Sequence, residues 1–361
     1  MFGATSKNTN FAYVTPVALV ALSACQTKVQ GVANNVNGAV VNGPLSNALV
    51  FLDLNDNKTL DPGEDSIRTE ADGSFSINTT ANNYKIVAIT DASTVDTSSG
   101  AVLSGVTFSA PGGAGVVSPT TTLMEEGGLS ADDVAAVLGL PDGVDPLTFN
   151  PYAAGVDAAD ALAVGKLNKQ ITTAVSSFAS AAEGAGASAA GAFDAALQSV
   201  VDVVVDKADG EGSLDFTAAA DLDLIKTNVA AEAANLAGVD VATMNAMIDD
   251  TATSIENVNN QLETVTDLTS DATKGIFSSV TVLQDQVKAA VAAELDTPGS
   301  GAAAMTFTDP DEVIASAANA QPSNIELDNL SINEAADSLV VGSATTDDLD
   351  QDTGHAYELL E

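Results

Sequence analysis

The chain of 361 residues contains one cysteine, one histidine and no tryptophan. A single cysteine rules out a disulfide within the chain. A single histidine, His355, leaves little for general acid–base chemistry, and a zinc site of nitrogen and sulfur ligands has almost nothing to draw on. Basic residues are scarce as well: 11 lysines and arginines face 50 acidic residues, a formal net charge of −39. A nucleic-acid binder displaces counterions from phosphates with lysine and arginine, so that class is excluded, and an anionic membrane surface would repel the chain for the same reason. Aromatics make up only 4%, so a core must be built from Ala, Val, Leu and Ile. At 45% hydrophobic the chain is nevertheless too apolar to be wholly disordered. What remains is a folded, acidic protein whose natural partners are divalent cations; an enzyme built only on carboxylates stays open, but nothing in the sequence points to one, and a non-catalytic protein is expected.

Long apolar runs are missing too. In "MFGATSKNTNFAYVTPVALVALSAC" the longest runs from Val14 to Ala24, which as a helix spans only about half a bilayer. It has the dimensions of a signal-peptide core, giving a signal peptide at 1–24 and a tether at 25–35. Leu22-Ser23-Ala24-Cys25 resembles the lipobox of bacterial lipoproteins. That resemblance implies lipidation of Cys25 and an exported, lipid-anchored protein at the cell surface or outer membrane.

From about 36 to 110 the pattern turns strand-like. "GAVVNG", "NALVFLDL", "GSFSI" and "YKIVAIT" are short β-branched or aromatic runs between Gly, Asn, Asp and Pro, with Phe75 and Ile77 expected on one face. They predict a small antiparallel β-sandwich. Inside it lies "FLDLNDNKTLDPGE". Counted from Asp53 as position 1, oxygen-bearing side chains fall at Asp53 (1), Asn55 (3), Asn57 (5), Thr59 (7), Asp61 (9) and Glu64 (12). That is the register of a twelve-residue calcium loop, with position 7 contributing its backbone carbonyl. Lys58 stands at position 6, where such loops favour glycine, and a β-run rather than a helix precedes it. The expectation is therefore an EF-hand-like loop in a β-context. A solvated acidic turn is the plain alternative. Asp53 to Asn57 also spells the D-x-N-D-N linker of cadherins, although too few residues precede it for a complete repeat. The stretch "VNGPLSNALVFLDLNDNKTLDPGEDSIRTEADGSFSI" resembles the calcium-loop-bearing B-type (prealbumin-like) modules of bacterial surface proteins.

From about 115 to 298 the period becomes helical. Ser130 is placed to cap a short helix with Asp133 at its third position, and Gly139 with Pro141 to end it. "VVSPTTTLMEEGGLSADDVAAVLGLPDGVDPLTFNP" resembles the segment that follows such β-modules in large bacterial adhesin-like proteins. Apolar stripes follow at Leu167, Ile171, Val175 and Phe178, at Leu222, Ile225, Val229, Ala233 and Leu236, at Ile255, Val258, Leu262 and Val265, and at Ile276, Val280, Leu283 and Val287. They predict a bundle of four to six helices, with Asp240 and Asp271 as caps and Met244 and Met247 in the core. After a linker at 299–323, residues 324–361 resemble the first part of a bacterial cadherin-like repeat. That resemblance implies an incomplete calcium site at Glu334, Asp348 and Asp350. A repeat cut short in this way suggests a fragment of a longer protein.

The sum is an α+β multidomain chain: a β-sandwich, a helical bundle and an incomplete β-sandwich tail. The function expected is a calcium-rigidified, adhesin- or stalk-like surface lipoprotein that meets an unidentified protein or polysaccharide ligand. The alternatives are a secreted or periplasmic carbohydrate-binding module, or an accessory region of an exported hydrolase.

Overall fold

The structure is a computed structural model that describes residues 34–301, Met305 and the strand backbone at 340–344 and 355–358. Strands come first and helices follow, so the chain is α+β. The expected signal peptide, Cys25 and the residues Glu334, Asp348 and Asp350 lie outside the described residues.

Three small sheets form the first part. β1 (Asn34–Val40) runs antiparallel to β5 (Ser74–Thr79), pairing Val36 with Ile77 and Gly38 with Phe75. The Phe75 ring crosses directly over Gly38, where any β-carbon would collide with it. In β5 the burial alternates, with Phe75, Ile77 and Thr79 inside, as expected for a half-buried strand. β1 is also joined by β10 (Val116–Val117), and this pairing is parallel. A four-stranded antiparallel sheet has the order β4 (Ser66–Arg68), β3 (Leu49–Asp53), β6 (Lys85–Ile89), β9 (Thr107–Pro111). The third sheet joins β2 (Leu45–Ser46), β7 (Val95–Asp96) and β8 (Ala101–Val102).

β3 is covered on both faces: Val50 and Leu52 enter the main core, and Phe51 and Asp53 are buried as well. Helix α1 (Pro119–Gly127) closes the free edge of β9. The Thr122 hydroxyl accepts from the Ser109 N–H at 2.9 Å, and the Thr121 hydroxyl donates to the Ser109 carbonyl at 2.9 Å. A sheet edge that would otherwise invite pairing is thus spent on a helix.

α2 (Ala131–Leu138) begins with the reciprocal Ser130–Asp133 capping box and ends at Gly139 in the left-handed conformation, as the sequence predicts. Five longer helices follow: α3 (Ala158–Gly184), α4 (Ala189–Asp209), α5 (Ala219–Ala233), α6 (Val241–Glu263) and α7 (Asp271–Asp296). Seven helices are therefore present among the described residues, two short ones in the 115–138 stretch and five beyond it, where the stripes predict four to six. Asp240 caps α6, whereas α7 is capped by Ser270, with Asp271 one residue inside. α3 is the central helix and packs on α4, α6 and α7. One buried apolar cluster runs without a break from Val36 in β1 to Val291 in α7 and Met305. Beyond it, β11 (Val340–Ala344) and β12 (His355–Glu358) form an antiparallel pair.

Candidate functional site

The loop that leaves β3 is wound around its first and last side chains. Asp53 is only 1% exposed. Its Oδ1 accepts the N–H groups of Asn55 (3.1 Å) and Asp56 (2.7 Å), and its Oδ2 accepts that of Lys58 (2.7 Å). Burial pushes this carboxyl up, but the donated N–H groups outweigh burial and hold it below the usual carboxylate range. Glu64 closes the other end: Oε1 accepts from Leu54 N–H at 2.8 Å and Oε2 from Asp61 N–H at 2.9 Å. Within the ring, Asn55 and Asn57 both donate their amide Nδ2 to Asp61 Oδ2, each at 2.8 Å. Thr59 N–H donates to Asn57 Oδ1 at 2.8 Å.

The backbone bends sharply to achieve this. Asp56 and Lys58 both take left-handed φ, at 61° and 57°. A side chain in that region costs about 1–2 kcal/mol. Lys58 therefore adopts the turn for which glycine would be the easier residue, and its side chain compensates. Its Nζ meets Glu126 Oε2 of α1 at 2.5 Å. Lys85 on β6 makes a second clasp, to Asp56 Oδ1 and Glu125 Oε1, both at 2.7 Å. Burial pushes the Lys85 ammonium down; its two carboxylate partners outweigh that and raise it. The loop is thus tied to α1 by two cations.

All six residues singled out by spacing lie in this one loop, and five of the side chains are linked through Asp61, Glu64 and the loop backbone. The donor set is entirely oxygen and amide, the set that a hard cation takes. A half-turn of either asparagine amide would exchange Nδ2 for Oδ1 at the same place, so positions 3, 5 and 9 can turn oxygen toward one point. Asp53 and Glu64, by contrast, direct all four of their oxygens at backbone N–H groups. Among the described residues, no three acidic, histidine or cysteine side chains gather closely enough to hold a metal.

A second polar cluster is invisible to motif reading. Lys169 of α3 and Asp96 of β7 form an ion pair at exposures of 1% and 3%. Asp96 Oδ1 accepts the N–H (3.0 Å) and hydroxyl (2.6 Å) of Ser98. The Lys169 ammonium lies 4.9 Å from the centre of the Phe277 ring. The Tyr152 hydroxyl, buried without a hydrogen-bond partner, is pushed well above the ordinary phenol range by burial and then by the Asp96 charge. A signal existed in the sequence, a lysine two residues before Ile171 on a stripe of core positions. α3 is buried on nearly every face, however, so periodicity could not say which way Lys169 points.

An open cleft of about 470 Å³ lies between α2, α3 and the 213–216 turn, walled by Leu162, Leu167, Leu214 and Phe216. Its polar groups satisfy one another: Lys166 and Gln170 both bind Glu263, at 2.8 and 2.6 Å. The chain matches no family model, no curated protein and no solved structure.

Proposed function

We propose that the chain is a non-catalytic, exported surface protein, adhesin- or stalk-like and lipid-anchored through Cys25, whose β-sandwich is stiffened by calcium at the Asp53–Glu64 loop. The observation that carries this reading is the loop itself: Asp53, Asn55, Asn57, Asp61 and Glu64 are drawn into one hydrogen-bonded ring that two lysines clasp to α1. The sandwich reading rests on Val36, Phe75 and Ile77 of one sheet sharing a core with Val50, Leu52, Ile86 and Ala88 of another.

Calcium would be held by the side chains of Asp53, Asn55, Asn57, Asp61 and Glu64 with the Thr59 carbonyl, and would supply two positive charges against three carboxylates. The protein's own part is to keep those groups within one short loop and to transmit their ordering to α1. Because the ion meets the folded loop and not the unfolded chain, binding free energy adds to stability. With three carboxylates, affinity falls at roughly 10⁻⁴ to 10⁻³ M, the range of extracellular modules.

Scanning calorimetry tests this. At ~10 mM free calcium the expected stabilisation is about 1.4–2.7 kcal/mol, a melting-temperature rise of a few degrees. Asp61→Ala is expected to abolish that rise. No rise in the parent protein, or an equal rise in the variant, overturns the calcium reading. The anchor is checked separately by metabolic acyl labelling, which Cys25→Ser must eliminate.

A further inference from the structure

Ser176 of α3 carries a hydroxyl that departs from the habit of its neighbours. Thr173 on the same helix and Ser199 on α4 each donate to the carbonyl four residues back, both at 2.7 Å. Ser176 is only 6% exposed, and its Oγ makes no hydrogen bond within the protein. On the adjacent α7, Gln284 Nε2 is likewise buried and unpaired. Both side chains line one pocket of about 50 Å³, together with Ser104 and Gly105 of the turn before β9, Ser180 and Glu183.

An apolar void adjoins this pocket. It measures about 20 Å³ and is walled by Phe108, Ile171, Val175 and Leu197, while Val106, Ser176 and Phe193 border both spaces. The Thr122 and Thr172 hydroxyls beside the void are already bonded, to the Ser118 carbonyl and to Asn42 Oδ1.

We propose that the polar pocket is a water-binding site, where a small cluster of ordered water joins the 104–106 turn to α3 and α7. A polar group sealed from solvent is costly to leave unbonded. Water that meets two to four polar partners is held as part of a fold, and roughly 10–15 Å³ is enough for one molecule. The pocket therefore accommodates about three. Ser176 Oγ can donate and accept, and Gln284 Nε2 donates. The hydroxyls of Ser104 and Ser180 extend the set, as does Glu183, whose Oε2 holds Lys288 at 2.5 Å. The adjoining void has the size for one water but an almost wholly apolar lining, and stays dry. This side of the β-part thus meets the helices through solvent, whereas the contact of Ser109 with α1 is direct.

High-resolution crystallography of the full-length chain, from crystals grown without glycerol or glycols, tests the site. Expected are water oxygens about 2.7–3.2 Å from Ser176 Oγ and Gln284 Nε2, and none in the adjoining void. In solution, magnetic relaxation dispersion of the water oxygen counts long-lived buried molecules. The Ser176→Ala/Gln284→Leu double variant should lose at least one of them relative to the parent. An equal count in parent and variant overturns the proposal. So does a map in which the Ser176 hydroxyl bonds the Thr172 carbonyl and the pocket holds no water. Should the variant fail to fold, the parent's map decides by itself.

Discussion

Asp53 shows how much one buried side chain can organise. Three backbone N–H groups depend on its two oxygens, and a left-handed residue, Lys58, is held in place by one of them. Asp53→Ala strands those donors, and a loss of about 1–3 kcal/mol is expected in denaturant unfolding without calcium. The pH dependence follows from the same bonds. Asp53 is held below its usual range, and Asp91, bonded by the Arg68 guanidinium and by Ser93, is held at about 2. A carboxyl depressed by folding stabilises above its unfolded value, roughly 3.9. Both contributions are therefore complete near neutral pH and fade on acidification, that of Asp91 as pH falls from about 4 to about 2. Melting temperature measured between those limits should fall, and Asp91→Asn should flatten part of the slope.

At the scale of elements, close helix contact depends on small residues. Gly184 ends α3 with its α-carbon against α7, where an added β-carbon would lie 2.6 Å from the Lys288 carbonyl and 2.8 Å from Val291 Cβ. Alanine is the better helix former by up to about 1 kcal/mol, but overpacking of this kind costs about 1–3 kcal/mol. Gly184→Ala is thus expected to destabilise, by urea denaturation. Much of this level was legible in the sequence. The Ser130 box, the Gly139 stop, the alternation at Phe75 and Ile77 and the stripes through Ile225 and Leu283 all express local periods and caps. α1 was not legible, because three consecutive threonines are weak helix formers; Ser118, Pro119 and the edge of β9 impose the helix from outside. The loop's register was readable from spacing alone. Its clasp was not, and neither was the separate buried pair: Lys58 and Glu126 are 68 positions apart, and Lys169 and Asp96 are 73 apart. Pairings at that separation leave no periodic trace.

For the molecule as a whole, two properties stand out. The β-part and the helices share one apolar cluster, so thermal unfolding is expected as one transition. Leu123→Ala, at a fully buried position of α1, should lower that transition by about 2–5 kcal/mol without splitting it. The second property is charge. Every lysine and arginine among the described residues is engaged in an ion pair, while the chain carries a net −39. The remaining carboxylates repel one another with no cation to spare among the described residues, so raising monovalent salt, which shortens the Debye length from about 30 to 8 Å, should raise the melting temperature. A fall with salt would mean that the ion pairs outweigh the repulsion.

The parallel contact between β1 and β10 has a mechanical consequence. β10 runs directly into α1, and β1 is the strand nearest the chain's beginning among those described. Tension between the chain before β1 and the helical body pulls these two strands in opposite directions along their length. The bonds that join Ala39 to Gly115 and Val41 to Val117, at 3.0 and 2.8 Å, then resist together in shear instead of opening one after another. A tether pulled from that end would meet its stiffest resistance at the first strand it loads.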